Sequence, residues 1–159
     1  MEFKTLLTSL AASEVEFVII GGLAATLHGS ARVTYDVDIV YSRTPENLSR
    51  LVSALSRFRP YLRGAPAGLP FQFDVETLRH GLNFTLSTTV GPIDLLGELA
   101  GIGGYDEVEA RSVTARMFDA DYRFIDLDGL IASKTAAGRP KDLETIAELE
   151  TIRDETPHL

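Results

Sequence analysis

Apolar residues recur along the chain with two different periods, and the switches between them lay out the elements. Phe3, Leu6, Leu7, Leu10 and Ala11 fall three or four positions apart, on one face of an opening helix that ends near Ser13. Residues 16–20 form a short apolar run that predicts a buried strand, broken by Gly21-Gly22, and residues 23–28 predict one or two helical turns before Gly29. From 34 to 41 charged and apolar side chains alternate, as they must on a strand whose two faces meet different surroundings. Thr44-Pro45 sets a capping hydroxyl before a proline at the first helical position. Leu48, Leu51, Val52 and Leu55 supply the apolar stripe of a helix running to about Phe58.

Downstream, residues 63–70 are rich in glycine and proline and read as a loop. Strands are expected over 82–88 and 92–96, and a hairpin over 113–118 and 122–125 around Asp119-Ala120-Asp121. Two helices close the chain, 127–137 stopped by Gly138 and a second from Pro140 to about Arg153. Gly101-Ile102-Gly103-Gly104 lacks the third glycine of a dinucleotide-binding fingerprint, and no helix is expected to follow it, so it reads as a flexible loop. The expected organisation is a single α/β (α+β) domain over 1–159. A sheet-bearing core occupies 1–125 and a C-terminal helical extension 126–156.

Composition narrows the chemistry. With 45% hydrophobic residues in 159, the chain has enough apolar surface for one ordinary core. It has no cysteine, so disulfides, thiolate zinc sites and cysteine nucleophiles are excluded, and any metal must be held mainly by oxygen. The longest apolar stretch, 17–27, is too short to span a bilayer, and Glu14 and Glu16 ahead of it argue against a signal peptide. A soluble cytoplasmic protein with no membrane partner is expected. A formal net charge of -8 has the wrong sign for gripping a duplex nucleic-acid backbone, although a carboxylate cluster around a metal would itself inflate it. The histidines, His28, His80 and His158, have no spacing that would build a metal site.

The carboxylates are more informative. Asp36 and Asp38 stand two apart on an expected strand, so both leave the same face while Val37 and Ile39 occupy the other. Their backbone positions are about 6.5–7 Å apart, close enough for both to reach one hard cation. Asp94, between Ile93 and Leu95, repeats the setting, and if its strand lies beside the first, three carboxylates meet. Magnesium, or manganese in its place, takes such oxygen ligands. An isolated Asp-x-Asp is more often a pair of solvated residues; here the acids interrupt a strongly apolar strand and a third recurs downstream. Gly21 and Gly22 end a strand and open a helix, where unpaired N–H groups and a bare backbone favour close approach of phosphate; a plain tight turn is the commoner use of such a pair. Lys134 falls on the apolar stripe of its helix and either snorkels past the core or reaches a triphosphate. Arg32, ahead of the acids, is either a phosphate partner or a surface residue.

Ile20-Gly21-Gly22, then thirteen residues, then Asp36-Val37-Asp38-Ile39, then Ile93-Asp94-Leu95 resembles the signature of the DNA polymerase β-like nucleotidyltransferases. The stretch from Lys134 through Gly138, Arg139, Pro140, Lys141, Asp142 and Leu143 is similar to that of small members, including abortive-infection and toxin–antitoxin nucleotidyltransferases. The resemblance implies a mixed twisted sheet with helices packed mainly on one face, and metal on Asp36, Asp38 and Asp94. It also implies phosphate at Gly21 and Gly22, and transfer of a nucleoside monophosphate from a nucleoside triphosphate to an acceptor hydroxyl, with Asp94 helping to deprotonate that hydroxyl. The acceptors in the family are small molecules, proteins or RNA ends. Many active members carry serine where Gly22 stands, so phosphate positioning here falls to backbone groups.

Two other readings compete. One is a nucleotide-binding or interaction module of a toxin–antitoxin pair with weak or no catalysis. The other takes Asp36-Val37-Asp38-Ile39-Val40 as an aspartyl-phosphate motif of haloacid dehalogenase-like phosphatases. That chemistry wants a buried apolar strand directly before the first acid, where Arg32-Val33-Thr34-Tyr35 stands instead. No Gly-x-Ser-x-Gly elbow supports a serine hydrolase.

Overall fold

The computed structural model describes residues 2–155. The elements are α1 (Glu2–Ala12), β1 (Phe17–Ile20), α2 (Gly21–Leu27), β2 (Val37–Tyr41), α3 (Pro45–Leu55), β3 (Tyr61–Leu62), α4 (Val75–His80), β4 (Asn83–Thr88) and β5 (Gly91–Leu96). They continue with β6 (Glu98–Leu99), β7 (Gly103–Gly104), α5 (Tyr105–Glu109), β8 (Ser112–Met117), β9 (Ala120–Ile125), α6 (Leu127–Ala137) and α7 (Leu143–Glu155). Seven strands form one mixed sheet in the order β3-β4-β5-β2-β1-β9-β8, parallel at β2/β5 and β1/β9 and antiparallel elsewhere.

The centre of the sheet is apolar because its strands are covered. All four residues of β1 are buried, and Val37, Ile39, Ile93 and Leu95 of β2 and β5 are fully inaccessible. Leu6, Leu7 and Leu10 of α1 and Leu48, Leu51 and Leu55 of α3 belong to the same buried cluster, as expected from their helical spacing. The two helices are tied by Ser9 Oγ, which donates to the Ala54 carbonyl at 2.6 Å. The Thr44 hydroxyl accepts from Asn47 N–H at 3.3 Å and caps α3. Buried Asn47 also binds both backbone groups of Glu16 and the Ser42 carbonyl, which clamps the start of β1 to the end of β2. That clamp helps set the register in which Ile20 faces Asp38.

Several boundaries differ from the sequence expectation. The strand anticipated from Thr34 begins only at Val37, so Asp36 lies just ahead of it. The hairpin turn is Phe118-Asp119, both at positive φ, with Ala120 and Asp121 already in β9. This two-residue turn matches the twist of the flanking strands. Gly103–Gly104 pairs with Glu98–Leu99, and α5 follows directly, overturning the expectation that no helix comes after those glycines. With five residues and one buried apolar side chain, Val108, α5 offers no periodicity to read. The six-residue α4, with Leu78 its buried side chain, likewise offers none; its N-cap, Asp74, accepts from Thr77 N–H at 2.8 Å. The last helix begins as a 3-10 turn at Pro140–Asp142 before α7 proper.

Candidate active site

Parallel pairing of β2 with β5 sets Asp38 directly beside Asp94, and antiparallel pairing of β1 with β2 sets Ile20 beside Asp38. Side chains at paired positions share a face. The acids therefore gather where β1 ends and β2 begins, beside the middle of β5. Asp36, ahead of β2, turns toward the same point, and one oxygen from each of Asp36, Asp38 and Asp94 lies within 4.8 Å of the others.

Like charges at this separation cannot all persist unaided. Burial, first, and then the neighbouring Asp94 and Asp36 carboxylates push the Asp38 carboxyl up to about 7, while Lys134 opposes the shift. The residues fit a divalent cation: all donors are hard oxygens, and their spacing suits a common ion.

The glycine corner is built against these acids. Gly21 has φ +65°, and a Cβ there would overlap the Asp38 carboxylate. Glycine is thus required by conformation and by space. At Gly22 a Cβ would overlap the Thr34 hydroxyl, which lies 3.3 Å from the Asp36 carbonyl. A serine at position 22 would therefore require the Thr34 side chain to shift.

A cavity of about 310 Å³ joins Gly21, Gly22, Asp38 and Asp94 to a facing wall that includes Ser133, Lys134 and Arg139. Asp142, buried, holds that wall together. Its Oδ2 accepts from Arg139 Nε at 2.7 Å, and its Oδ1 lies 3.7 Å from Lys134 Nζ. Gly138 ends α6 at φ +64° and turns the chain so that Arg139 and Asp142 face back toward Lys134. Lys134, only 15% exposed at its side chain, is thus an inward-facing cation paired with Asp142 at the cavity's edge.

Of the residues singled out from sequence, Gly21, Gly22, Asp38, Asp94 and Lys134 line this one cavity and Asp36 joins the acid cluster. Arg32 does not line it: its guanidinium pairs with Glu144 at 3.4 Å and Glu148 at 3.5 Å on α7. His28 Nε2 lies 2.8 Å from the Ile125 carbonyl and His80 is exposed beside Glu76, while His158 lies outside the described residues. The aspartyl-phosphate alternative loses its geometry, because Asp36 and Asp38 stand at the start of β2 and not at a strand's carboxyl end. Sequence reasoning missed Arg63, whose Nη2 donates to Asp94 Oδ1 at 2.7 Å; a lone arginine opening a glycine-rich loop carries no signal for this.

No family model matches the chain, and no curated protein matches it. Among solved structures it is similar to TM1012 from Thermotoga maritima, an inferred nucleotidyltransferase, with a TM-score of 0.54 and 13% identity over 96% of this chain and 88% of the other. It is also similar to the aminoglycoside nucleotidyltransferase ANT(2″)-Ia, solved in complex with adenylyl-2″-tobramycin, with a TM-score of 0.57 and 14% identity over 96% of this chain and 92% of that one. With the three acids, the glycine corner and the mixed sheet all in place, the chain has the nucleotidyltransferase fold.

Proposed function

We propose that the protein transfers a nucleoside monophosphate from a nucleoside triphosphate to an acceptor hydroxyl. The observation that carries this reading is the convergence, in one cavity, of the acid cluster, a glycine corner and an inward-facing lysine. A magnesium or manganese ion held by Asp36, Asp38 and Asp94 would supply charge neutralisation at the phosphoryl centre. The chain's own residues do the positioning. Gly21 and Gly22 present a bare backbone against which phosphate oxygens can lie, and Lys134 and Arg139 balance their charge from the facing wall. Asp94, tethered on one oxygen by Arg63 and lying beside Asp38, would take the proton of an acceptor hydroxyl. Such transfer needs little covalent work from the protein, so positioning and electrostatics account for it.

The similar structure bound to adenylyl-tobramycin makes a small polyhydroxylated molecule the first acceptor to try, with protein side chains and RNA ends next. The test incubates the chain with nucleoside triphosphates, magnesium and candidate acceptors, including any protein encoded beside it, and follows mass. A gain equal to one nucleoside monophosphate, dependent on magnesium and lost in Asp38→Asn, is expected. Binding of nucleotide without any such gain in any acceptor class would favour the interaction-module reading instead.

A further inference from the structure

Arg63 follows β3 directly, and its N–H donates to the Thr85 carbonyl at 3.0 Å, which extends the β3–β4 ladder by one position. Thr85 pairs with Asp94, Asp94 with Asp38, and Asp38 with Ile20. Arg63, Thr85, Asp94 and Asp38 thus form one transverse row across four strands, with side chains on a common face. Adjacent strands are about 4.8 Å apart, so the Arg63 and Asp94 backbones lie roughly 10 Å apart, a gap that an extended arginine and the aspartate side chain bridge together. The small Thr85 side chain between them leaves the path open. Nη2 donates to both the Leu86 carbonyl and Asp94 Oδ1 at 2.7 Å, which fixes the guanidinium on the strands and not only on the acid. Nε is buried with no hydrogen-bond partner among the described residues, so the guanidinium is committed to this place at the expense of one donor.

We infer that Arg63 is a positioning residue for Asp94 and a resident counter-cation of the acid cluster: it holds one Asp94 carboxylate oxygen fixed and competes with divalent metal for the cluster's charge. This rests on the proposed reading of the cluster as a metal site. Three acids with one fixed guanidinium carry less repulsion before metal arrives than three acids alone, and an entering ion meets a charge of the same sign a few ångströms away. Arginine suits the role because its planar fork can bind a carbonyl and a carboxylate together; a lysine would keep the charge but lose the orientation.

The experiment measures Mn2+ affinity of the metal-free chain by electron paramagnetic resonance, with thermal melting followed in parallel. Wild type, Arg63→Met and Arg63→Lys are compared. Arg63→Met is expected to bind Mn2+ about tenfold more tightly than wild type while melting at a lower temperature without metal. Arg63→Lys is expected to return Mn2+ affinity to within about twofold of wild type, because the charge is restored. A purely structural arginine would weaken Mn2+ binding in both variants as the site loosens, and that outcome, or unchanged affinity in Arg63→Met, overturns the inference. If Arg63→Met does not fold, Arg63→Lys decides: weaker Mn2+ binding than wild type overturns the inference, and wild-type affinity sustains it. Failure of the wild-type chain to bind Mn2+ removes the metal-site reading itself and this inference with it.

Discussion

Two cavities open at opposite ends of the same central strands, and they differ in how their charges are arranged. The larger, about 520 Å³, lies where β1 and β9 begin and is lined by Glu16, Tyr105, Glu109, Tyr122 and Arg123 among others. Opposite charges pair there: Arg123 lies 3.8 Å from Glu109 and Arg116 3.3 Å from Asp121, while burial and a hydrogen bond to Glu109 raise the Tyr105 hydroxyl well above its ordinary range. The smaller, about 310 Å³, lies where β1 ends, and there like charges converge on one side and cations are gathered on the other. Volume therefore does not mark the chemistry. Like-charge convergence that Arg63 and Lys134 offset only in part does, because it costs stability that a bound cation would return.

Breaking the smaller cavity has the largest expected effect. Asp36→Asn or Asp38→Asn should lower transfer by about 10²–10⁴-fold, the several kcal/mol that a metal's charge stabilisation supplies. Either variant should remain folded and melt at or above the wild-type temperature without metal, since repulsion is relieved; circular dichroism melts and a mass-based transfer assay check both halves. Next, Lys134→Met should weaken nucleotide binding about 10–100-fold by removing one charge-assisted contact, as read by titration calorimetry.

A smaller effect is the pH dependence. The Asp38 carboxyl sits at about 7 in the folded chain and at its ordinary 3.8 when unfolded. The folded state therefore holds the extra proton between those values, and stability falls as pH rises from about 4 to about 7. For a group shared among coupled acids this is on the order of 1–3 kcal/mol. Denaturant melts across that range should show the decline in metal-free wild type, and its loss in Asp38→Asn or with saturating magnesium. The smallest effect belongs to the other cavity: Glu109→Gln should leave transfer unchanged and alter stability by less than about 1 kcal/mol, because its partner Arg123 is half-exposed.

The contrast between the two cavities also explains what was legible in the sequence. Alternation around Asp38 and Asp94 survives as a period-two pattern, so the strands and the shared face of their acids could be read directly. Parallel pairing of β2 with β5, which makes them neighbours, has no local signature; the resemblance of spaced motifs implied only that Asp94 completes the acid triad. Gly138 announced the end of α6 because a left-handed terminus favours glycine. Arg63 was invisible because its contact with Asp94 spans 31 positions and two strands. Arg32 looked well placed by proximity to the acids in sequence, yet the turn from 30 to 36 directs it to Glu144 and Glu148 on α7, a helix no local pattern connects to it. Thr34 gave no signal either, and its consequence at Gly22 depends on two segments meeting in space.

The most direct test of the central claim is a crystal structure with Mn2+ and a non-hydrolysable nucleoside triphosphate analogue, the metal located by its anomalous scattering. The account predicts a manganese peak about 2.0–2.4 Å from oxygens of Asp36, Asp38 and Asp94, with phosphates lying between the Gly21-Gly22 corner and Lys134. A manganese peak away from these acids, or nucleotide seated in the larger cavity beside Tyr105 and Arg123, would contradict it.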